Sequence, residues 1–248
     1  MRKRILLPVF CLSVLFLHGC VAPEPAPTIQ QPPIFKPVPI PPAPTPMPPK
    51  VQVPQMPPLP IWSAVKGKTI VIDAGHGGKD PGTLANGLSA WPEKSINLSI
   101  ALELSKQLKA RGAKVVMTRS SDRYPDLEDR AYVASKNDAD LFVSLHCNSS
   151  QKPWVDGATV YIARQPSQRS RWAALAINWS LTNAGIASNG VDMADYKVLI
   201  LHSKPSVLIE CGYLTNYTER KRLNTSSYRV KMATTISQGI ANYFAKHP

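Results

Sequence analysis

Cysteine and histidine are scarce in this sequence, and so are acidic residues. Four cysteines in 248 residues cannot make the dense disulfide framework of a small secreted scaffold. Five histidines leave few places for imidazole chemistry. No H-E-x-x-H segment occurs, which excludes a helix-borne zinc protease motif. No G-x-S-x-G occurs, which leaves an α/β-hydrolase serine site without support. The pair Gly77-Gly78 is not followed by G-K-[ST], so it is not a phosphate-binding P-loop. Asp and Glu number 16 against 29 Lys and Arg, for a net charge of +13. Such a balance attracts polyanions.

The N-terminal sixty residues contain nothing that could build a core. Arg2, Lys3 and Arg4 form a basic patch, and Ile5 to Leu17 is an apolar run of 13 residues. That length suits a signal-peptide core better than a membrane span. It ends in Leu17-His18-Gly19-Cys20, which resembles the lipobox of bacterial lipoproteins, in which the cysteine is acylated. Cys20 is therefore the expected lipidation site, with 1–19 as the removed signal. Val21 rather than Asp after it fits an outer-membrane address. Residues 21–60 hold 17 of the 25 prolines and almost no charge. This composition favours extended polyproline II and reaches roughly 120 Å at about 3.1 Å per residue. A tether between a membrane anchor and a folded unit is expected, facing the periplasm. Residues 61–248 form the one expected globular domain. Setting aside Arg2, Lys3, Arg4 and the net +1 of Glu24, Lys36 and Lys50 leaves that domain at +9. An exported chain without a nucleic-acid-binding motif is not expected to bind nucleic acid. Anionic cell wall or lipid headgroups are the natural partners.

Within the domain, short apolar runs alternate with helical periodicities. Strands are expected at 68–74, 113–119, 140–146 and 158–163, with shorter ones at 198–201 and 206–210. Helices are expected at 92–111, 127–137, 167–184 and 228–246. In the first, Leu98, Ala101, Leu102, Ser105 and Leu108 share a face. In the last, Met232, Ile236, Ile240 and Tyr243 do. This alternation implies an α/β fold: a mostly parallel twisted sheet covered by helices on both faces. In such sheets chemistry sits at the carboxyl ends of strands.

The candidate reactive residues fall there. His76 follows the first strand in IVIDAGHGGKDPG (Ile70–Gly82). His146 ends LFVSL, Glu210 ends VLI, and Glu93 opens the helix after the first strand's loop. Two imidazoles and a carboxylate are a catalytic zinc set, and a further carboxylate can accept the proton of an activated water. Asp80 is the alternative third ligand. Asp73 is either an acid that orients a ligand histidine or a turn acid. His202, before Pro205, reads as a partly exposed loop histidine.

The motifs DAGHGGKDPG (Asp73–Gly82), Glu93-Lys94, SLHCN (Ser144–Asn148) and LIECGYLTN (Leu208–Asn216) resemble, in order, those of the zinc-dependent N-acetylmuramoyl-L-alanine amidases. The resemblance runs from about Lys68 to Tyr243. It implies a fold related to zinc exopeptidases. It implies hydrolysis of the amide between the lactyl group of N-acetylmuramic acid and L-alanine of the peptidoglycan stem peptide. It further implies one zinc held by His76, Glu93 and His146, with Glu210 as general base. Cys147 stands where that family often has alanine. The 64 residues from His146 to Glu210 are few for the inhibitory helix that some relatives insert, so control by localisation, substrate access or an activator protein is expected. Cys147 and Cys211 each follow a site residue and, by strand alternation, face away from the cleft. Two buried thiols are expected, a disulfide being the alternative in an export compartment. Two other readings remain. A degenerate amidase acting as a binding protein would usually have lost one of the four site residues. A zinc carboxypeptidase would need a cation for a terminal carboxylate, and Arg119 and Arg130 are available.

Overall fold

The structure, a computed structural model, describes residues 62–84 and 91–248. The signal-like segment, Cys20 and the proline-rich stretch lie outside the described residues. The strands are β1 (Thr69–Ala74), β2 (Lys114–Met117), β3 (Leu141–Asn148), β4 (Ala158–Ile162), β5 (Ser188–Met193) and β6 (Ser206–Tyr213). The helices are α1 (Glu93–Ala110), α2 (Leu127–Lys136), α3 (Gln168–Asn183), α4 (Lys197–Ile200), α5 (Tyr217–Leu223) and α6 (Ser226–Lys246).

One six-stranded sheet runs in the order β2-β1-β3-β6-β4-β5. Every neighbouring pair is parallel except β4 with β6. The mostly parallel α/β reading holds, with β4 and β5 reversed as a pair at one edge. α2, α3, α5 and α6 start where a side chain satisfies a first-turn backbone N–H group. Asp126 caps α2 by accepting from the Asp129 amide at 2.7 Å, and Ser167 caps α3 by accepting from Ser170 at 3.1 Å.

The two-residue period of the strands divides the core. Ile70, Ile72, Leu141, Val143, Leu145, Val207 and Ile209 point into the larger cluster under α1, α3 and α6. Val71, Phe142 and Leu208 point the other way, towards α2 and α4. The same alternation sends Asp73, Ser144, His146 and Glu210 to this second face. The register pairs Asp73 with Ser144 and His146 with Glu210. Three adjacent parallel strands therefore deliver their polar residues to one place.

Four local expectations need correcting. Residues 198–200 are not a strand but part of the short helix α4, which Leu201 follows. Val198 and Leu199 are both buried in the same cluster, which consecutive strand residues on opposite faces could not achieve. β5 was not expected: its sequence SNGVDM is polar because the strand lies at the sheet edge, largely exposed. α5 was not expected either. Finally, the buried face of α1 is Ile96, Ile100, Ala101, Leu104, Ser105 and Leu108, while Leu102 is exposed.

Candidate metal centre

The loop after β1 is built to aim one imidazole. His76 has φ 59°, a left-handed conformation that costs a non-glycine residue energy unless its surroundings enforce it. They do. Gly77 and Asp80 exchange backbone hydrogen bonds at 2.9 and 3.0 Å, closing a tight turn. The carbonyls of Ala74, Gly75 and His76, at and just beyond the end of β1, are collected by two buried arginines. Arg119 donates to Ala74 at 2.7 Å and Gly75 at 2.9 Å. Arg130 donates to Ala74 and His76, both at 2.9 Å.

Asp73 supplies the matching charge. It accepts from Arg130 Nη1 at 2.7 Å, Thr118 Oγ1 at 2.6 Å and Ser144 Oγ at 2.7 Å. Burial alone would raise its pKa, but Arg130 and the two hydroxyls hold it below the usual range. Asp73 thus touches neither candidate ligand histidine; it anchors the arginine that holds their loop. Arg119 and Arg130 are committed to backbone carbonyls, so neither is a spare cation for a terminal carboxylate.

His76, Glu93 and His146 offer ligand atoms that all lie within 4.8 Å of one another. Glu93 Oε1 sits 3.1 Å from His76 Nε2 and 3.1 Å from His146 Nδ1. The other ring nitrogen of His76 meets Asp80 Oδ2 at 2.7 Å. Asp80 therefore fixes the orientation of His76 from behind and is not a member of the converging set. Glu93 is buried, with Oε1 accepting from the Cys147 amide at 3.0 Å and Oε2 from the Thr83 amide at 2.8 Å. Burial opposes its ionisation, but His146 and His76 drive its pKa far below the carboxylate range. Burial likewise opposes the charge on His76, yet Glu93 and Asp80 push its pKa up to about 9. The carboxylates of Glu93 and Asp80 thus favour positive charge at His76.

The cradle admits nothing extra. A Cβ on Gly82 would come within 2.6 Å of Glu93 Oε2 and 2.7 Å of His76 Cδ2, and one on Gly75 would strike the His146 ring. Two imidazoles, one carboxylate and a fixed geometry fit a divalent metal of the nitrogen- and oxygen-binding kind.

Glu210 stands beside this set, on the β6 neighbour of His146. It is 8% exposed, and among the described residues its Oε2 has no hydrogen-bond partner. Burial raises its pKa to about 7, His146 opposing and Glu93 assisting. An unpartnered buried carboxyl is costly, and such perturbed groups cluster at functional sites. His76, His146, Glu210, Tyr124, Tyr196 and Lys197 line a cleft of about 460 Å³. A larger groove of about 620 Å³ between α1 and α6 gathers no comparable set of coupled ionisable groups. Of the span between His146 and Glu210, only Asp195 to Val198 and Leu208 line the cleft. Cys147 and Cys211 are free, buried thiols on the opposite face. His202 is half-buried, edge-on to Phe142 at 4.9 Å, and takes no part in the cleft lining.

The family profile described as N-acetylmuramoyl-L-alanine amidase matches residues 70–242. The chain belongs to this family. Among similar amidase-family proteins, N-acetylmuramoyl-L-alanine amidase LytC of Bacillus subtilis is 36% identical over 182 residues, which is 73% of this chain and 36% of LytC. YqiI of the same organism, an uncharacterized protein, is 38% identical over 181 residues, covering 73% of this chain and 86% of YqiI. The catalytic domain of the amidase CwlV from Bacillus (Paenibacillus) polymyxa superposes with a TM-score of 0.68 at 34% identity, over 72% of this chain and 98% of that one. The CwlD amidase of Clostridioides difficile, solved in complex with the GerS lipoprotein, gives 0.69 at 33% identity, over 73% and 100%. The match is thus to the family's catalytic unit, about a third of the length of LytC.

Proposed function

We propose that the chain is a zinc hydrolase that cleaves the amide between the lactyl group of N-acetylmuramic acid and the L-alanine of the peptidoglycan stem peptide. The observation that carries this reading is the convergence of His76, Glu93 and His146 beside a buried, unpartnered Glu210 in a chain of this family. His76, Glu93 and His146 would hold the ion, and that donor set suits zinc. When bound, zinc supplies a Lewis acid that polarises the amide carbonyl and lowers the pKa of water.

The residues divide the remaining work. Asp80 takes the Nδ1 proton of His76 in a hydrogen bond, leaving Nε2 as the free donor atom towards Glu93. The Asp73–Arg130 pair and Arg119 keep the ligand loop from relaxing. Glu210 takes a proton from the attacking water and delivers it to the alanine nitrogen as the carbon–nitrogen bond breaks. The products are a lactyl carboxylate and a stem peptide with a free alanine amine. A carboxyl poised at about 7 can accept and release a proton near neutrality, as both steps require.

The N-terminal sequence supports a location. Lipidation at Cys20 would anchor the chain to the outer membrane, facing the periplasm, and residues 21–60 would let the catalytic unit reach the wall. The similarity to CwlD, solved with a lipoprotein partner, supports control by an activator protein here. The test is a soluble muramyl peptide incubated with the full-length chain, with new alanine amino termini counted. Glu210→Gln should retain zinc and lose turnover. Retained turnover would overturn the role of Glu210, and cleavage elsewhere in the peptide would overturn the substrate bond.

A further inference from the structure

We propose that the corner formed by α5 and the start of α6 is a second, electrostatic contact surface for the wall polymer. It would grip stem-peptide carboxylates away from the bond being cleaved. The inference rests on the peptidoglycan reading above.

Residues 220–231 contain five cations and no carboxylate. Two of the five have structural roles. Arg229 is buried and donates to Ser99 Oγ at 2.8 Å and the Leu223 carbonyl at 2.8 Å. Arg220 donates to the Leu214 carbonyl at 2.9 Å and lies over the Tyr217 ring. The other three, Lys221, Arg222 and Lys231, are exposed. Among the described residues none of the three forms an ion pair. They converge on a concavity of about 610 Å³ that also presents Thr218, Thr225 and Ser227. The acid in α5, Glu219, is turned inward, accepting from the Tyr213 amide at 2.7 Å and the Gly157 amide at 3.1 Å.

Fold stability does not account for this cluster. Cations in the last turn of α5 are favoured by its dipole, which covers Lys221 and Arg222. Lys231 stands in the second turn of α6, at the end of the helix where positive charge gains nothing. Three unpaired cations around one hollow repel one another until an anion enters.

The place suits the substrate polymer. α5 begins four residues beyond the end of β6, the strand that carries Glu210 into the cleft. The hollow lies at the same end of β6 as the cleft, on the α6 side of the sheet, so a wall strand leaving the cleft over that end would meet it with further stem-peptide carboxylates recurring along it. Each contact is weak and exposed, and repetition along a polymer adds them.

The experiment uses the full-length chain with Lys221→Gln, Arg222→Gln and Lys231→Gln combined, and a single Lys231→Glu variant as a second perturbation. Three readouts are compared with wild type: co-sedimentation with isolated peptidoglycan, binding to phosphatidylglycerol vesicles, and turnover of a soluble muramyl peptide. The triple variant should bind peptidoglycan roughly tenfold more weakly at low salt, with the difference closing near about 0.5 M salt. Lys231→Glu alone should also weaken binding at low salt, because it places a carboxylate at the hollow. Vesicle binding and soluble turnover should stay at wild-type levels. Unchanged sedimentation, or a loss confined to vesicles, would overturn the proposal. Absence of soluble turnover in the wild type would count instead against the amidase reading, a separate failure.

Discussion

Replacing Glu210 by glutamine separates what its carboxyl costs the fold from what it does in the reaction. The side chain is 8% exposed, and burial lifts its pKa from 4.5 to about 7. The folded value lies above the unfolded one, so the native state holds this proton more tightly. That stabilisation is fully present below about pH 4.5 and is lost as pH rises through about 7. The interval between the two values is worth up to about 3 kcal/mol. Glutamine does not titrate. The stability of metal-free Glu210→Gln relative to wild type should therefore rise by up to about 3 kcal/mol between pH 5 and pH 8. For a domain of this size that corresponds to roughly 5–10 °C in Tm. Denaturant titrations of chelator-treated wild type and variant across this pH range measure it. A difference independent of pH, or a variant relatively less stable at pH 8, would refute the idea that an ionised, unsolvated Glu210 is held there against the preference of the fold. The variant should meanwhile be inactive, an exchange of activity for stability that is common at functional sites.

Three further outcomes are expected. Asp73→Asn leaves Arg130 buried without its counter-charge, which should cost about 3–5 kcal/mol; a denaturant-midpoint loss below about 1 kcal/mol would show that the pair does not hold the turn. Gly75→Ala drives a methyl into the His146 ring, so metal content should fall well below one per chain while far-UV circular dichroism is unchanged; full occupancy would contradict the cradle. With His76 raised to about 9, the metal-free protein carries that proton at pH 7, and zinc needs a neutral imidazole. Zinc uptake should release about one proton per ion at pH 7, and fewer above pH 9. Calorimetry in buffers of different ionisation heat measures this, and no release at pH 7 would contradict the coupling.

The sheet and the long helices were legible because burial on two faces leaves a period in the sequence. Ile70-Val71-Ile72 and LFVSL could be little else. What does not face a core on one side leaves no period: β5 lies exposed at an edge, and α4 is only four residues long. The insertion of β4 between β5 and β6, antiparallel to β6, was not legible, since strand order is a property of pairing and not of any one strand. The two histidines were legible from their places after buried strands, while Glu93 rather than Asp80 as the third member came only from the family resemblance. The support of this set was not legible. Arg119 and Arg130 read as available cations, because an arginine's partners are carbonyls brought to it by tertiary packing, and nothing local in the sequence marks them. Asp80 could be seen as a ligand or a neighbour; only the 2.7 Å contact to the far side of the His76 ring decides between these.

The most decisive measurement is the product analysis of isolated peptidoglycan digested by the full-length chain. It would be done with zinc, with a chelator, and with zinc restored. Released stem peptides beginning at L-alanine, lost with chelator and regained with zinc, are expected. Fragments broken at a glycosidic or crosslink bond, or stem-peptide release that survives the chelator, would contradict the assignment.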